Sequence, residues 1–162
     1  MKVLSSVLLS VVLAMVASIA QAQLTIEISQ GMDNPTAIAI APFAWQGNGA
    51  PPEDVAAVVD SDLARSGQFV PIARTDMLSR PTAQADVFYR DWRAIEAEYL
   101  LIGRVSKANN ELRIEYDLFD VLRQTIVDSG AETGPASTAR MMSHRVADAV
   151  YEKLTGVPGA FA

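Results

Sequence analysis

The sequence contains no cysteine, which excludes a disulfide framework, thiolate catalysis, a thiolate metal site and a lipid-modified amino-terminal cysteine. Stability in an oxidising compartment must then come from the packed core alone. Histidine is almost as scarce, because the single His144 has no histidine or cysteine with which to share a zinc ion. The same residue would have to be the base of any Ser-His-Asp arrangement, yet no serine stands in a Gly-x-Ser-x-Gly elbow. Between Met142 and Val146 it reads as a partly exposed helix position. Positive charge is also short, with 13 basic against 19 acidic residues and a formal net charge of −6. That balance argues against nucleic acid, whose affinity rests on phosphate neutralisation. It suits a neutral or basic partner without choosing one.

Phosphate-binding motifs are missing as well. Gly47-Asn48-Gly49 lies between a strand-like and a helix-like stretch, but Pro52 stands where a dinucleotide fingerprint wants a third small residue, and no Gly-Lys-Ser/Thr follows. Glu53 and Asp54 occupy the helix start where phosphate charge would sit. Asn34-Pro35-Thr36 is excluded as a glycosylation acceptor by its proline. The acid pairs Asp60/Asp62 and Glu96/Glu98 are two residues apart, which on a helix sends them to different sides and reads as solvated surface charge. No cofactor, no metal and no enzymatic activity are expected.

Long apolar runs are confined to the first residues. Lys2 supplies a positive start, Val3 to Ile19 is apolar apart from scattered serines, and Ala20-Gln21-Ala22 is a small-x-small triplet. This is the pattern of a cleavable export signal over residues 1–22, cut between Ala22 and Gln23. A membrane anchor is the other reading of such a run. The short core, broken by Ser5, Ser6, Ser10 and Ser18, and the cleavage triplet favour the signal, leaving no membrane span in the mature chain. Removing 22 of the 162 residues leaves 140, enough for one domain with a real core. With Lys2 gone the formal charge becomes about −7, from 12 basic and 19 acidic residues.

Leu24 to Ser29 alternates apolar with polar, the period-2 pattern of a strand with one dry face. The turn formers from Gln30 to Pro35 follow, with Gly31 and Pro35 as a hinge or corner. Thr36 to Phe43 is continuously apolar, as in a central strand, and Ala37, Ala39 and Ala41 would let a helix approach closely. After the loop from Trp45 to Pro52, a helix is predicted from Glu53 to Ser66 with Gly67 as its left-handed stop. Phe69 to Ile72 reads as a short strand, placed at an edge because Pro71 lacks a ladder donor. Arg74 to Asp91 is loop-like, a short helix is expected around Asp91 to Glu98, and Tyr99–Val105 with Leu112–Leu118 forms a hairpin through turn-prone asparagines. A third antiparallel strand is predicted over Gln124 to Thr133, and a closing helix over Thr138 to Leu154. The fold class is α/β in the α+β sense: a two-layer domain, with a mixed sheet of about five strands and two main helices packed mainly on one face.

The first strand admits two placements. It completes its own sheet, or the hinge lets it leave and pair with a partner through backbone bonds and the row Leu24, Ile26, Ile28.

Three runs carry a family resemblance. Ile38 to Gly47, then Ala50-Pro51-Pro52-Glu53-Asp54, then Asp62 to Phe69 resemble the amino-terminal domain of the TolB family, the periplasmic component of the Tol-Pal system. Trp92-Arg93-Ala94-Ile95 with Leu101 to Val105, and Tyr151 to Phe161, look like the family's middle and its domain-ending phrase. The resemblance covers residues 23–161. It implies an exported, non-enzymatic adaptor of the Gram-negative periplasm, whose segment just after the cleavage site binds the carboxy-terminal domain of TolA. By position that segment is Gln23, Leu24, Thr25, Ile26, Glu27, Ile28 and Ser29, with the three apolar residues making the pocket contacts. Family members continue into a β-propeller that binds the lipoprotein Pal, so Pal is expected as a partner only if a propeller follows Ala162. The expected organisation is therefore a signal over 1–22, a partner-binding segment and hinge over 23–35, the α/β domain over 36–156, and a linker over 157–162 toward that propeller. The apolar, charge-poor ending reads as part of a longer chain. A reading from another class uses the loop from Trp45 to Pro52 as a small-ligand or glycan site, with core packing of Trp45 as the alternative account of that ring.

Overall fold

A computed structural model describes residues 34–162. The candidate segment Gln23 to Ser29, the cleavage junction and Gly31 lie outside the described residues. Pro35 is described: it is half-buried and stands immediately before the first strand.

That strand, β1 (Thr36–Ile40), lies between β3 (Phe69–Pro71) and β4 (Tyr99–Ala108) and is parallel to both. β5 (Glu111–Asp120) and β6 (Thr125–Pro135) follow antiparallel, giving the order β3-β1-β4-β5-β6. A sixth strand, β2 (Ala44–Gln46), pairs parallel with β4 in a stretch read from the sequence as strand end and loop. Its origin is a slip in register. Ile40 lies opposite Leu101 and Ala44 opposite Arg104, so the first chain advances four residues while β4 advances three. Pro42, with no N–H to donate, sits in the break. The two-layer mixed sheet expected from the sequence is therefore present, with six strands rather than about five.

The helix α1 (Val55–Arg65) starts later than predicted, because Asp54 caps it: its side chain accepts from the Ala57 N–H at 3.0 Å. Gly67, with φ of +71°, ends it as expected. The short helix is α2 (Tyr89–Ala94), earlier than the predicted Asp91 to Glu98, and the closing helix is α3 (Ala139–Thr155). Asn109 and Gln124, both at φ of +57°, turn the β4–β5 and β5–β6 connections. The asparagine was legible as a turn former; the glutamine was not.

Alternation along the strands builds two apolar layers. Ile38, Ile40, Leu101, Val105, Leu112, Ile114 and Leu118 face one way and are covered by Val55, Val59 and Leu63 of α1 and by Met142, Val146 and Val150 of α3. Ala39, Ala41, Leu100, Ile102 and Phe119 face the other way and meet Trp92 of α2 and Ala97. The small side chains of β1 thus do admit a close neighbour, which is the indole of α2 rather than either long helix. Further along this second face, Arg113 and Glu115 meet water, as the clean alternation of β5 predicts.

Candidate functional site

Around Trp45 the backbone of β2 turns into the Gly47 loop, and the indole folds beneath it. Trp45 Nε1 donates to the Gly49 carbonyl at 2.9 Å, the ring is half-buried against the core on the helix face, and a Cβ on Gly47 would stand 2.2 Å from it. Only glycine lets the loop lie this close to the ring. Beside it an open hollow of about 560 Å³ is lined by Trp45, Gln46, Gly47, Asn48, Lys107 and Asn109. The indole N–H is committed to its own loop, while Trp45 still lines the hollow that a ligand or glycan site would use.

The charged residues are brought together in a way the spacing did not suggest. Asp62, read as solvated surface charge, is buried under α3, where His144 Nδ1 lies 2.5 Å from its Oδ2 and Arg65 Nη2 2.6 Å from its Oδ1. The correction has a simple cause: Asp62 falls on the same stripe as Val55, Val59 and Leu63, so it rotates into the seam between α1 and α3. His144 makes this one side-chain hydrogen bond, and no serine hydroxyl takes part. The arrangement is an interhelical clip. Its partner acid Asp60 is only half-buried, and burial pushes its carboxyl above the usual range.

Three further carboxylates are held below their ordinary range. Asp54 is lowered chiefly by its two hydrogen bonds from Arg74, at 2.8 and 2.9 Å. Glu115 is lowered chiefly by Arg104, whose Nε lies 3.0 Å away, on the watery part of the second face. For Asp120 burial works upward, but the Arg123 backbone N–H and guanidinium together outweigh it. Conversely, burial and the neighbouring Asp128 carboxylate push the Tyr116 phenol up to about 12. None of these groups converges on a common cleft. Among the described residues no three His, Asp or Glu side chains stand close enough to hold a metal ion, and no helix is long and apolar enough to cross a membrane.

At the other end of the chain, residues 157–162 fold back onto α3. Asp148 accepts from the Phe161 N–H at 2.8 Å and the Ala162 N–H at 3.2 Å, Gly159 packs against the same carboxylate, and the Phe161 ring meets Tyr151 edge-on. No spacing rule announced this contact; an acid just past the middle of an amphipathic helix reads as solvent-facing until the returning chain is seen.

Comparison with known proteins supplies what the described geometry does not. The TolB amino-terminal domain family matches residues 24–127, a span that begins inside the predicted partner-binding segment and ends in β6. A relative named Tol-Pal system protein TolB, from a Marinomonas species, is 48% identical over 147 residues, 90% of this chain and 34% of its own length. A crystal structure of TolB from Acinetobacter baumannii superposes with a TM-score of 0.65 at 31% identity, covering 78% of this chain and 30% of that one. The carboxy-terminal domain of LpoB from Salmonella enterica shares the fold at a TM-score of 0.53 and 16% identity, over 65% of this chain and 87% of that one. The chain spans about a third of the length of the curated relatives it matches.

Proposed function

The chain belongs to the TolB family, whose amino-terminal domain it carries, and from that premise we propose that it is the partner-recruiting part of a non-enzymatic periplasmic adaptor of the Tol-Pal system. The signal peptide directs export, cleavage after Ala22 frees a new amino terminus, and Gln23 to Ser29 pairs as a strand with the carboxy-terminal domain of TolA. In this reading Gly31 and Pro35 form the hinge between that strand and the domain. Through this contact the protein supports outer-membrane integrity and invagination at division. Pal is a second partner where a propeller follows.

The observation that carries this reading is the reach of the family match, which takes in Leu24, Ile26 and Ile28 along with the folded domain. Strand addition explains why those three residues alternate with polar ones: backbone bonds supply affinity and one row of side chains supplies specificity. Calorimetric titration of the mature chain against the TolA carboxy-terminal domain, with and without residues 23–30, tests it. Binding is expected only with the segment present. Equal affinity for both forms overturns strand donation.

A further inference from the structure

The second face of the sheet carries a basic and apolar patch with no role in the reading above. Val87, Phe88, Tyr89, Arg90 and Arg93 of the α2 region, together with Gln124 of the β5–β6 turn, line a groove of about 390 Å³. Leu122 and Arg123 continue the patch along that turn. Phe88 is 59% exposed and Leu122 67%, although Tyr89 and Val121 beside them in sequence pack into the core. The ring of Tyr89, set against Phe119 at 6.3 Å, fixes the base of α2 beside the turn and so holds the two exposed apolar residues in place.

The side chains that the patch exposes most fully are basic, against the acidic balance of the chain. The side chains of Arg90 and Arg123 are 85% and 79% exposed, while those of the acids paired with them, Asp91 and Asp120, are only 25% and 5% exposed. Arg93 is exposed and has no ion-pair partner among the described residues. Glu98, in the neighbouring hollow, is drawn toward β1 by the Ala37 N–H at 3.3 Å. Solvent therefore meets three cations around two apolar side chains, against one well-exposed carboxylate, Asp86, just before Val87, on a protein whose formal net charge is −6.

We propose that this patch docks an acidic protein segment, in which an aromatic or aliphatic residue between carboxylates packs beside Phe88 and Leu122 while the carboxylates meet Arg90, Arg93 and Arg123. Arginine and aromatic residues are the types enriched in protein interfaces, and planar guanidiniums match carboxylates in two-pronged geometry. The groove has room for a side chain, and the charge is confined to one local patch. A flat anionic membrane would meet the acidic remainder of the chain within a Debye length, about 8 Å at physiological salt, and be repelled. The returning terminal segment packs with the helix face, on the side of the sheet away from the patch.

The test is an amide chemical-shift titration of the isotope-labelled mature chain with a blocked peptide of core Glu-Leu-Glu-Phe-Glu. Saturable shifts confined to residues 87–93 and 121–124, weakening with added salt, are expected, and the matching Lys-Leu-Lys-Phe-Lys peptide should leave them unmoved. The R90E/R93E double variant should bind about tenfold more weakly or worse, equivalent to about 1.4 kcal/mol. Phe88→Ser should weaken binding as well, with the remaining amide spectrum unchanged in both variants. Shifts mapping elsewhere, no saturation, or equal affinity in the charge-reversed chain would overturn the proposal. So would tighter binding to phosphatidylglycerol vesicles than to the peptide, or shifts reproduced by concentrating the protein alone, which would assign the patch to lipid or to a second copy.

Discussion

Along β4, Leu101 and Val105 lie beneath α1 and α3, helices of 11 and 17 residues, whereas Leu100 and Ile102 lie beneath a six-residue helix and the irregular chain around Met77 and Val87. Burial on the helix face is spread over repeating stripes, so each side chain there has neighbours of its own kind on both sides. On the reverse face one large ring, Trp92, closes most of the gap over the alanines of β1. The same sheet is thus sealed by two long helical stripes on one side and, on the other, by one buried ring with partly buried side chains around it.

The strongest way to break that contrast is to remove the ring. Trp92→Ala should cost about 3–5 kcal/mol, seen as a lower urea midpoint with an unchanged slope. Trp92→Phe should cost far less, because the buried indole N–H has no hydrogen-bond partner among the described residues and only its bulk is at stake. On the helix face, Met142→Ala should cost about 2–4 kcal/mol. A Met142 loss exceeding the Trp92 loss would show that the reverse face is a veneer. His144→Ala should cost about 1–2 kcal/mol, since Asp62 stays buried and keeps only Arg65 on that side.

Titration adds smaller effects. Asp54, Glu115 and Asp120 have lowered folded-state values, so they contribute stability above the usual carboxylate range, and it is lost as pH falls below about 4. Their arginine partners are 36%, 38% and 79% exposed, so solvent screens each pair and each loss should stay under about 1 kcal/mol. Glu115→Gln should flatten part of the acid limb in denaturant midpoints measured against pH. Tyr116 lies on the helix face, and its raised value works the other way. Its contribution is intact below the ordinary tyrosine value of about 10 and is lost as pH climbs through about 12. Burial raises the Tyr89 phenol as well, so the check is the last phenol to titrate in ultraviolet absorbance, absent in Tyr116→Phe.

The helix face was legible because its order is local. Val55, Val58, Val59 and Leu63 state a helical period, Gly67 its end, and the alternation of Leu112, Ile114, Tyr116 and Leu118 a strand, without reference to anything distant. Asp62 shows the limit of that reading. A stripe position was visible, but an acid there makes sense only once His144, on another helix, is seen to face it. β2 was hidden for a similar reason, since a three-residue strand after Pro42 exists only through the register of β4. The reverse face depends on long-range closure throughout, so the short helix was predicted but its boundaries and the exposed Phe88 beside it were not. As for the amino-terminal strand, its alternation was plain, while its partner entered only through the family.

The carboxylate of Asp148 also determines how the domain responds to tension. A pull at Ala162 is taken first by the two backbone N–H groups that Asp148 holds and by the edge of the Phe161 ring against Tyr151. These contacts part by peeling, one after another, and their release lets out a short length of slack before any strain reaches the hydrogen bonds of α3 or the sheet behind it. Under such a pull, residues 157–162 are the part of the described chain that would detach first, ahead of the helix and sheet they lie against.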